Sequence, residues 1–180
     1  SEVYGSARYV PIDENHPLIA QSPYAASKIA ADNLALSYYK SFSTPIKILR
    51  PFNTYGPRQS LRAIIPSIIL QMLSKTKDLK VGNLFPKRDF TYVSDTVNAF
   101  YQIAKSKAAI GEILNFGTNS EISIVSLMNL VMKKIKRKKK IKIQNQRKRF
   151  KASEVDRLLC NNKKYFRKLR IKKRKFVTLE

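Results

Sequence analysis

The sequence predicts an α/β fold, on three observations. Short β-prone runs alternate with longer segments of helical apolar period, proline and glycine punctuate the joints, and 180 residues with 43% hydrophobic content suffice to bury a core. A charged content of 27% reads as a soluble, globular chain. No apolar run approaches the length of a membrane span. The single cysteine, Cys160, excludes an internal disulfide and a cysteine-rich zinc site. It fits a reducing compartment, and the cytoplasm is the expected location.

The elements follow in order. Residues 1–5, SEVYG, read as a strand end running into a glycine turn, and residues 6–23 as a surface loop closing at Ser22-Pro23. From Tyr24 to Phe42, Ile29, Leu34, Ala35 and Tyr38 recur at helical spacing, and Pro45 stops the helix. IKILR (46–50) is a short β run, and PFNTYGPRQS (51–60) is polar and turn-forming. Residues 63–75 predict a helix with an early proline, 79–82 a strand, and 85–93 a loop leading to a strand end. The helix over 95–106 starts acidic and ends in Lys105, which suits the helix dipole. A strand over 111–117 and a helix over 123–135 capped by Ser123 follow. Beyond them lie one strand (141–145) and one or two short helices.

The net charge of +24 is unevenly placed. After residue 130 stand 22 of the 36 Lys and Arg but only 3 of the 12 acidic residues. KKIKRKKKIKI (133–143) and RKLRIKKRK (167–175) concentrate it. Such tracts suit a phosphate-rich partner, nucleic acid or an anionic surface. They lack ordered aromatic spacing, helix-turn-helix and zinc patterns, so a solvated basic surface is preferred and nucleic acid is not the expected partner.

The stretch QSPYAASKIAADNLA (21–35) holds the candidate chemistry. Tyr24 and Lys28 stand four apart, on one helix face a turn from each other. The spacing recurs at Tyr101 and Lys105, and about one such match is expected by chance, so context decides. Tyr24 opens its helix after Pro23 and can look into a cleft, whereas Tyr101 lies mid-helix in an apolar stretch and reads as packing. A phenolate at neutral pH needs about 4 kcal/mol of help from positive charge. Lys28 is placed to supply part of it.

SEVYG, VPIDENHPL, SPYAASKIAAD, RPFNTYGPR and RDFTYVSDT together, in this order, closely resemble the extended short-chain dehydrogenase/reductase (NAD-dependent epimerase/dehydratase) family acting on nucleotide sugars. The resemblance covers residues 1–130 and looks most like bacterial NAD-dependent 4,6-dehydratases of UDP-N-acetylglucosamine or a GDP-linked sugar. It implies the C-terminal part of a Rossmann-type doubly wound parallel sheet plus a small α/β substrate-binding lobe. Residues 1–60 would be the remainder of the Rossmann domain with the catalytic helix. Residues 61–180 would be mostly substrate lobe, with strands and a helix returning to the core around 85–117 and a basic segment over 133–180.

The same resemblance implies the roles. Tyr24 would take the proton of the sugar 4-hydroxyl as hydride leaves C4 for NAD, and Lys28 would hold the ribose hydroxyls and favour the phenolate. Glu2 would remove the C5 proton, made acidic by the C4 ketone. Ser1 stands at the place of the leaving-group acid, as in the GDP-mannose dehydratase branch. Asn53, Arg58 and Arg88 would meet the substrate diphosphate, where fork-like donors suit a pyrophosphate. Arg149 would be a looser nucleotide contact, with Phe150 where a proline is expected. Asp89 and Asp95 are read as capping the following helix, Arg58 and Arg62 as an even choice between surface and site, and His16 as exposed.

Five glycines, no two close together, leave no glycine-rich turn for a dinucleotide. The cofactor half is expected upstream of Ser1, and the chain is expected to be an incomplete, inactive fragment that aggregates without it. The tail also departs from the family's usual acidic, aromatic end. The resemblance implies a homodimer. A 4-epimerase would need Tyr24 and Lys28 but not Glu2. A UDP-glucuronate decarboxylase also uses a Ser-Glu pair, but the stretch before Tyr24 does not resemble that branch. From another class stands a basic nucleic-acid or anionic-surface binding module on a dead enzyme scaffold.

Overall fold

The computed structural model describes residues 1–143, 155–172 and 175–179. In chain order it holds a 3-10 turn (Glu2–Tyr4), α1 (Pro23–Phe42), β1 (Ile48–Pro51), β2 (Asn53–Tyr55), α2 (Ile64–Leu73), β3 (Asp78–Val81), β4 (Lys87–Arg88) and β5 (Phe90–Tyr92). There follow α3 (Val93–Lys105), a 3-10 turn (Lys107–Ala109), β6 (Ile113–Phe116), β7 (Ile122–Ser123), α4 (Ile124–Ile135), β8 (Lys140–Ile143), β9 (Arg157–Leu158) and α5 (Lys163–Leu169). The pairs β1–β6, β2–β5, β3–β8 and β4–β9 are parallel, and only β4–β7 is antiparallel. Helices cross between parallel strands, as the α/β reading requires.

Local chemistry sets the ends of α1. The Ser22 hydroxyl accepts from the Ala25 amide at 3.1 Å, and Pro23 occupies the first turn, where no amide hydrogen is needed. Ser43 adopts the left-handed conformation and donates its amide to the Tyr39 carbonyl, closing the helix before Pro45. Pro66 is likewise confined to the first turn of α2. Ser123 caps α4, its hydroxyl accepting from the Ser126 amide at 3.1 Å.

Among the described residues three apolar clusters form the core. One joins Ile68 and Met72 of α2, Leu79 and Val81 of β3, and Leu127 and Met128 of α4. A second gathers Val3, Tyr4, Ile12, Phe52, Leu158 and Cys160. The third seats Tyr165 of α5 against Phe116 of β6, with ring centroids 4.8 Å apart.

Several local expectations are corrected. Residues 2–4 form a 3-10 turn, not a strand end, because Gly5 at φ 58° turns the chain back so that the Ile19 amide reaches the Val3 carbonyl at 2.9 Å. A Cβ at Gly5 would stand 2.9 Å from the Ile19 carbonyl oxygen. The supposed turn at 51–60 contains β2, whose partner β5 lies far away in sequence. His16 is buried, not exposed: its Nε2 accepts from the Arg8 amide at 2.9 Å, which leaves Nδ1 to donate to the Pro17 carbonyl. Neither Asp89 nor Asp95 caps α3 through its side chain. Asp89, fully buried, accepts from the amides of Thr118, Asn119 and Cys160 and from the Thr118 hydroxyl, while burial pushes its carboxyl upward. It ties the loop after β6 to β9. Asp95 instead receives the Val177 amide at 2.9 Å, fastening the C-terminal segment.

Candidate active site

Tyr24 stands at the head of α1 and is 58% exposed, so its phenol is not packed in hydrocarbon. The Lys28 ammonium lies 5.5 Å from the centre of its ring. The second pair is closer still, Lys105 to Tyr101 at 4.2 Å, and Tyr101 is 54% exposed, not packed as expected. Contact between the two side chains therefore does not separate the pairs; their surroundings do. The first pair differs in that α1 is tied to the turn that carries Glu2.

That tie is a buried polar network. The Tyr4 hydroxyl donates to Asn115 Oδ1 at 2.6 Å and accepts from Arg50 Nη1 at 2.9 Å. Arg50 Nε then pairs with Asp32 of α1 at 2.7 Å. The Asn115 amide donates to Glu14 Oε1 at 2.7 Å, and Asn115 Nδ2 donates to the Ile12 carbonyl. Burial pushes the Tyr4 phenol up to about 12, even with Arg50 and Asn115 beside it. Asp32 lies one turn beyond Lys28, so Arg50 fixes the register of α1 against the Glu2–Tyr4 turn. Glu2 itself is open to solvent, and the Ser1 nitrogen donates to the Pro51 carbonyl at 3.2 Å.

A polar cleft of about 530 Å³ brings Asn53, Arg62 and Arg88 together with Ser67, Gln71 and Lys80. Asn53 Oδ1 is buried there without a hydrogen-bond donor among the described residues, an acceptor that a ligand can satisfy. Arg88 lines the cleft while its guanidinium donates to the carbonyls of Val155 (2.5 Å) and Asp156 (3.2 Å). Arg58, at φ 64°, lines a neighbouring apolar cleft and does not join Asn53 and Arg88. Arg149 lies outside the described residues. Sequence reasoning left Arg62 undecided and missed Tyr4, Asp32, Arg50 and Asn115. The signal for the last two was a polar residue inside an apolar strand, ILRPF and ILNFG.

A family profile described as GDP-mannose 4,6 dehydratase matches residues 1–178. The chain belongs to this family. The dTDP-D-glucose 4,6-dehydratase of Homo sapiens is 38% identical over 135 residues, covering 75% of this chain and 38% of the relative. The chain thus spans well under half the length of that curated relative. Among solved structures, the dTDP-glucose 4,6-dehydratase of Bacillus anthracis str. Ames in complex with NAD superposes with a TM-score of 0.84 at 28% identity, covering 94% of this chain and 53% of that one. The UDP-glucuronic acid 4-epimerase of Bacillus cereus, in complex with UDP-glucuronic acid and NAD, gives 0.85 at 29% identity, covering 96% and 54%. Dehydratases and epimerases of nucleotide sugars, with their Rossmann-type α/β architecture, are therefore the neighbours of the GDP-mannose 4,6 dehydratase family member described here. No described helix is long and apolar enough to cross a membrane.

Proposed function

We propose that the chain supplies the proton-handling and substrate-binding half of an NAD-dependent nucleotide-sugar 4,6-dehydratase. The observation that carries this reading is the network from Asp32 through Arg50 to Tyr4, which holds the Glu2 turn and the Tyr24–Lys28 helix as one unit. NAD, when bound, supplies a reversible hydride acceptor. Tyr24 and Lys28 fit its ribose end, being exposed neighbours on one helix face, while no glycine-rich turn of this chain serves its pyrophosphate.

Within that frame each residue has a task. Lys28 binds the ribose hydroxyls and favours the Tyr24 phenolate, which accepts the 4-hydroxyl proton. Glu2 takes the C5 proton, and Ser1 stands beside it to assist departure of the C6 hydroxyl. Asn53, Arg62 and Arg88 position the diphosphate end of the substrate through donors in the polar cleft. Arg58 and Arg149 are reserve contacts from the sequence resemblance.

The sequence favours UDP-N-acetylglucosamine or a GDP-linked sugar, whereas the dehydratase relatives are named for dTDP-glucose. A nucleoside-diphosphate hexose is the shared chemistry, and dTDP-glucose is the first to assay. The exposed apolar face of α1, with Leu34, Tyr38 and Phe42, supports packing against the cofactor-binding half and the homodimer that the resemblance implies. We expect the isolated 180-residue chain to be inactive; robust NAD binding by it would overturn that expectation.

The test is Glu2→Gln in an enzyme completed with a cofactor-binding half. Loss of dehydration, a product lighter by about 18 Da, with C4 hydride transfer retained, is the expected result. Continued loss of water overturns the dehydratase reading. Product of unchanged mass from the unsubstituted enzyme would assign it as a 4-epimerase, the second reading, favoured by the likeness to the Bacillus cereus epimerase.

A further inference from the structure

A second cleft, of about 700 Å³, runs between α2 and α4 and shares no lining residue with the polar one. Its lips are aliphatic and open: Leu61, Leu70 and Leu73 are 63%, 52% and 58% exposed. Leu130 and Val131 of α4 face them, and among the described residues no Asp or Glu lines the cleft. Its charged lining residues are Arg58 and Lys134.

The C-terminal ends of the two helices are joined by basic side chains. Arg137 Nη1 reaches the Leu73 carbonyl at 3.5 Å, and Lys139 Nζ donates to the Ser74 carbonyl at 2.8 Å. Around this junction Lys75, Lys77, Lys133, Lys134, Lys136 and Lys138 are exposed. None of them is in the ion pairs found among the described residues. Exposed leucines thus adjoin a dense cationic cluster, the two halves of an interfacial membrane-binding surface.

We propose that this face docks the protein reversibly on an anionic phospholipid surface. Leu70 and Leu73 enter the headgroup boundary, and the lysines engage lipid phosphates. Other occupants match the chemistry less well. A second copy would press two cationic clusters together. Nucleic acid would satisfy the lysines but strand the leucines, and the cleft's tyrosines, Tyr55 and Tyr92, pack edge to face on each other at 5.4 Å and are not free to stack on bases. An acidic amphipathic helix is the remaining alternative, and its capture without flotation separates it below.

Vesicle flotation tests this with the enzyme completed by a cofactor-binding half, which removes the aggregation expected of the isolated chain, so that bound protein rises and unbound protein stays below. The completed enzyme should float with phosphatidylcholine vesicles containing phosphatidylglycerol, remain below with phosphatidylcholine alone, and lose binding as salt is raised. Leu70→Ser with Leu73→Ser, and separately Lys133→Glu with Lys134→Glu, should each weaken binding on the order of tenfold. Both pairs are exposed, and an unchanged circular dichroism spectrum shows that the fold persists. A wild-type enzyme that stays below with anionic vesicles overturns the proposal, as does a serine variant that floats equally well. Binding to a single-stranded oligonucleotide that displaces vesicles and ignores the leucine substitutions also overturns it, in favour of nucleic acid. Capture of an acidic amphipathic peptide without flotation does so in favour of a protein partner.

Discussion

Tyr4→Phe isolates the network that aligns the candidate site. The substitution keeps the ring, which is fully buried, and removes one oxygen. Asn115 Oδ1 loses its donor at 2.6 Å and Arg50 Nη1 its acceptor at 2.9 Å, both in the interior. Each buried group left unsatisfied costs about 1–3 kcal/mol, so a total of about 2–6 kcal/mol is expected. In a chain of this length that lowers Tm by roughly 5–25 °C. Urea unfolding of wild type and variant, followed by circular dichroism, measures it. The pH dependence gives a second signature. Burial raises the folded-state phenol to about 12 from an ordinary value of 10.0, so the unfolded chain ionises first. The phenol's contribution is fully present below pH 10 and is lost as pH rises towards 12, a fall of about 3 kcal/mol in order of magnitude. The gap between wild type and variant should therefore narrow across that window. A variant within about 0.5 kcal/mol of wild type at pH 7, with the same alkaline slope, refutes the assigned energetics.

Other outcomes follow from the same contacts. In the completed enzyme, Tyr24→Phe should lower kcat by about 10²–10⁴-fold, as expected for loss of a general base, while Tyr101→Phe leaves it unchanged. Equal effects would erase the distinction between the two pairs. Gly117→Ala should destabilise by about 1–3 kcal/mol in a thermal melt, because its Cβ would fall 2.5 Å from Cys160 Cβ and 2.9 Å from Asp89 Oδ2. Arg62→Ala should raise KM for the nucleotide sugar more than it changes kcat; an unaltered KM would return Arg62 to the surface. Lys168 and Lys164 hold the Glu112 carboxyl below its usual value. Its small stabilisation is present above that ordinary value and disappears as pH falls through the folded one, and Glu112→Gln should remove the acid-side dependence.

The parts of this molecule legible in its sequence are those governed by local chemistry. Ser22-Pro23 announces the start of α1 and Ser123 that of α4, and apolar periodicity marks the body of α4, which buries Ile124, Leu127 and Met128. What stayed hidden depends on partners distant in the chain. Asn53–Tyr55 looks like a turn until Phe90–Tyr92 lies beside it. Asp89 looks like a cap for the next helix until the loop at 118–119 and the segment after β9, at Cys160, close over it. Tyr24 and Lys28 are proposed on spacing and resemblance, and Glu2 on resemblance alone. Arg50 could not be matched to Asp32 or Tyr4, because no local pattern records which buried polar group meets which.

The bond from Arg50 to Asp32 also bears on how such an enzyme can be divided. The residues proposed to move protons are aligned by contacts that lie wholly inside this polypeptide, so their alignment does not wait for the dinucleotide-binding portion to arrive. A break between the two portions would separate hydride chemistry from proton chemistry along a natural seam. Two separately made pieces would then have only to find each other, with the proposed acid–base residues already held on joined elements of one of them.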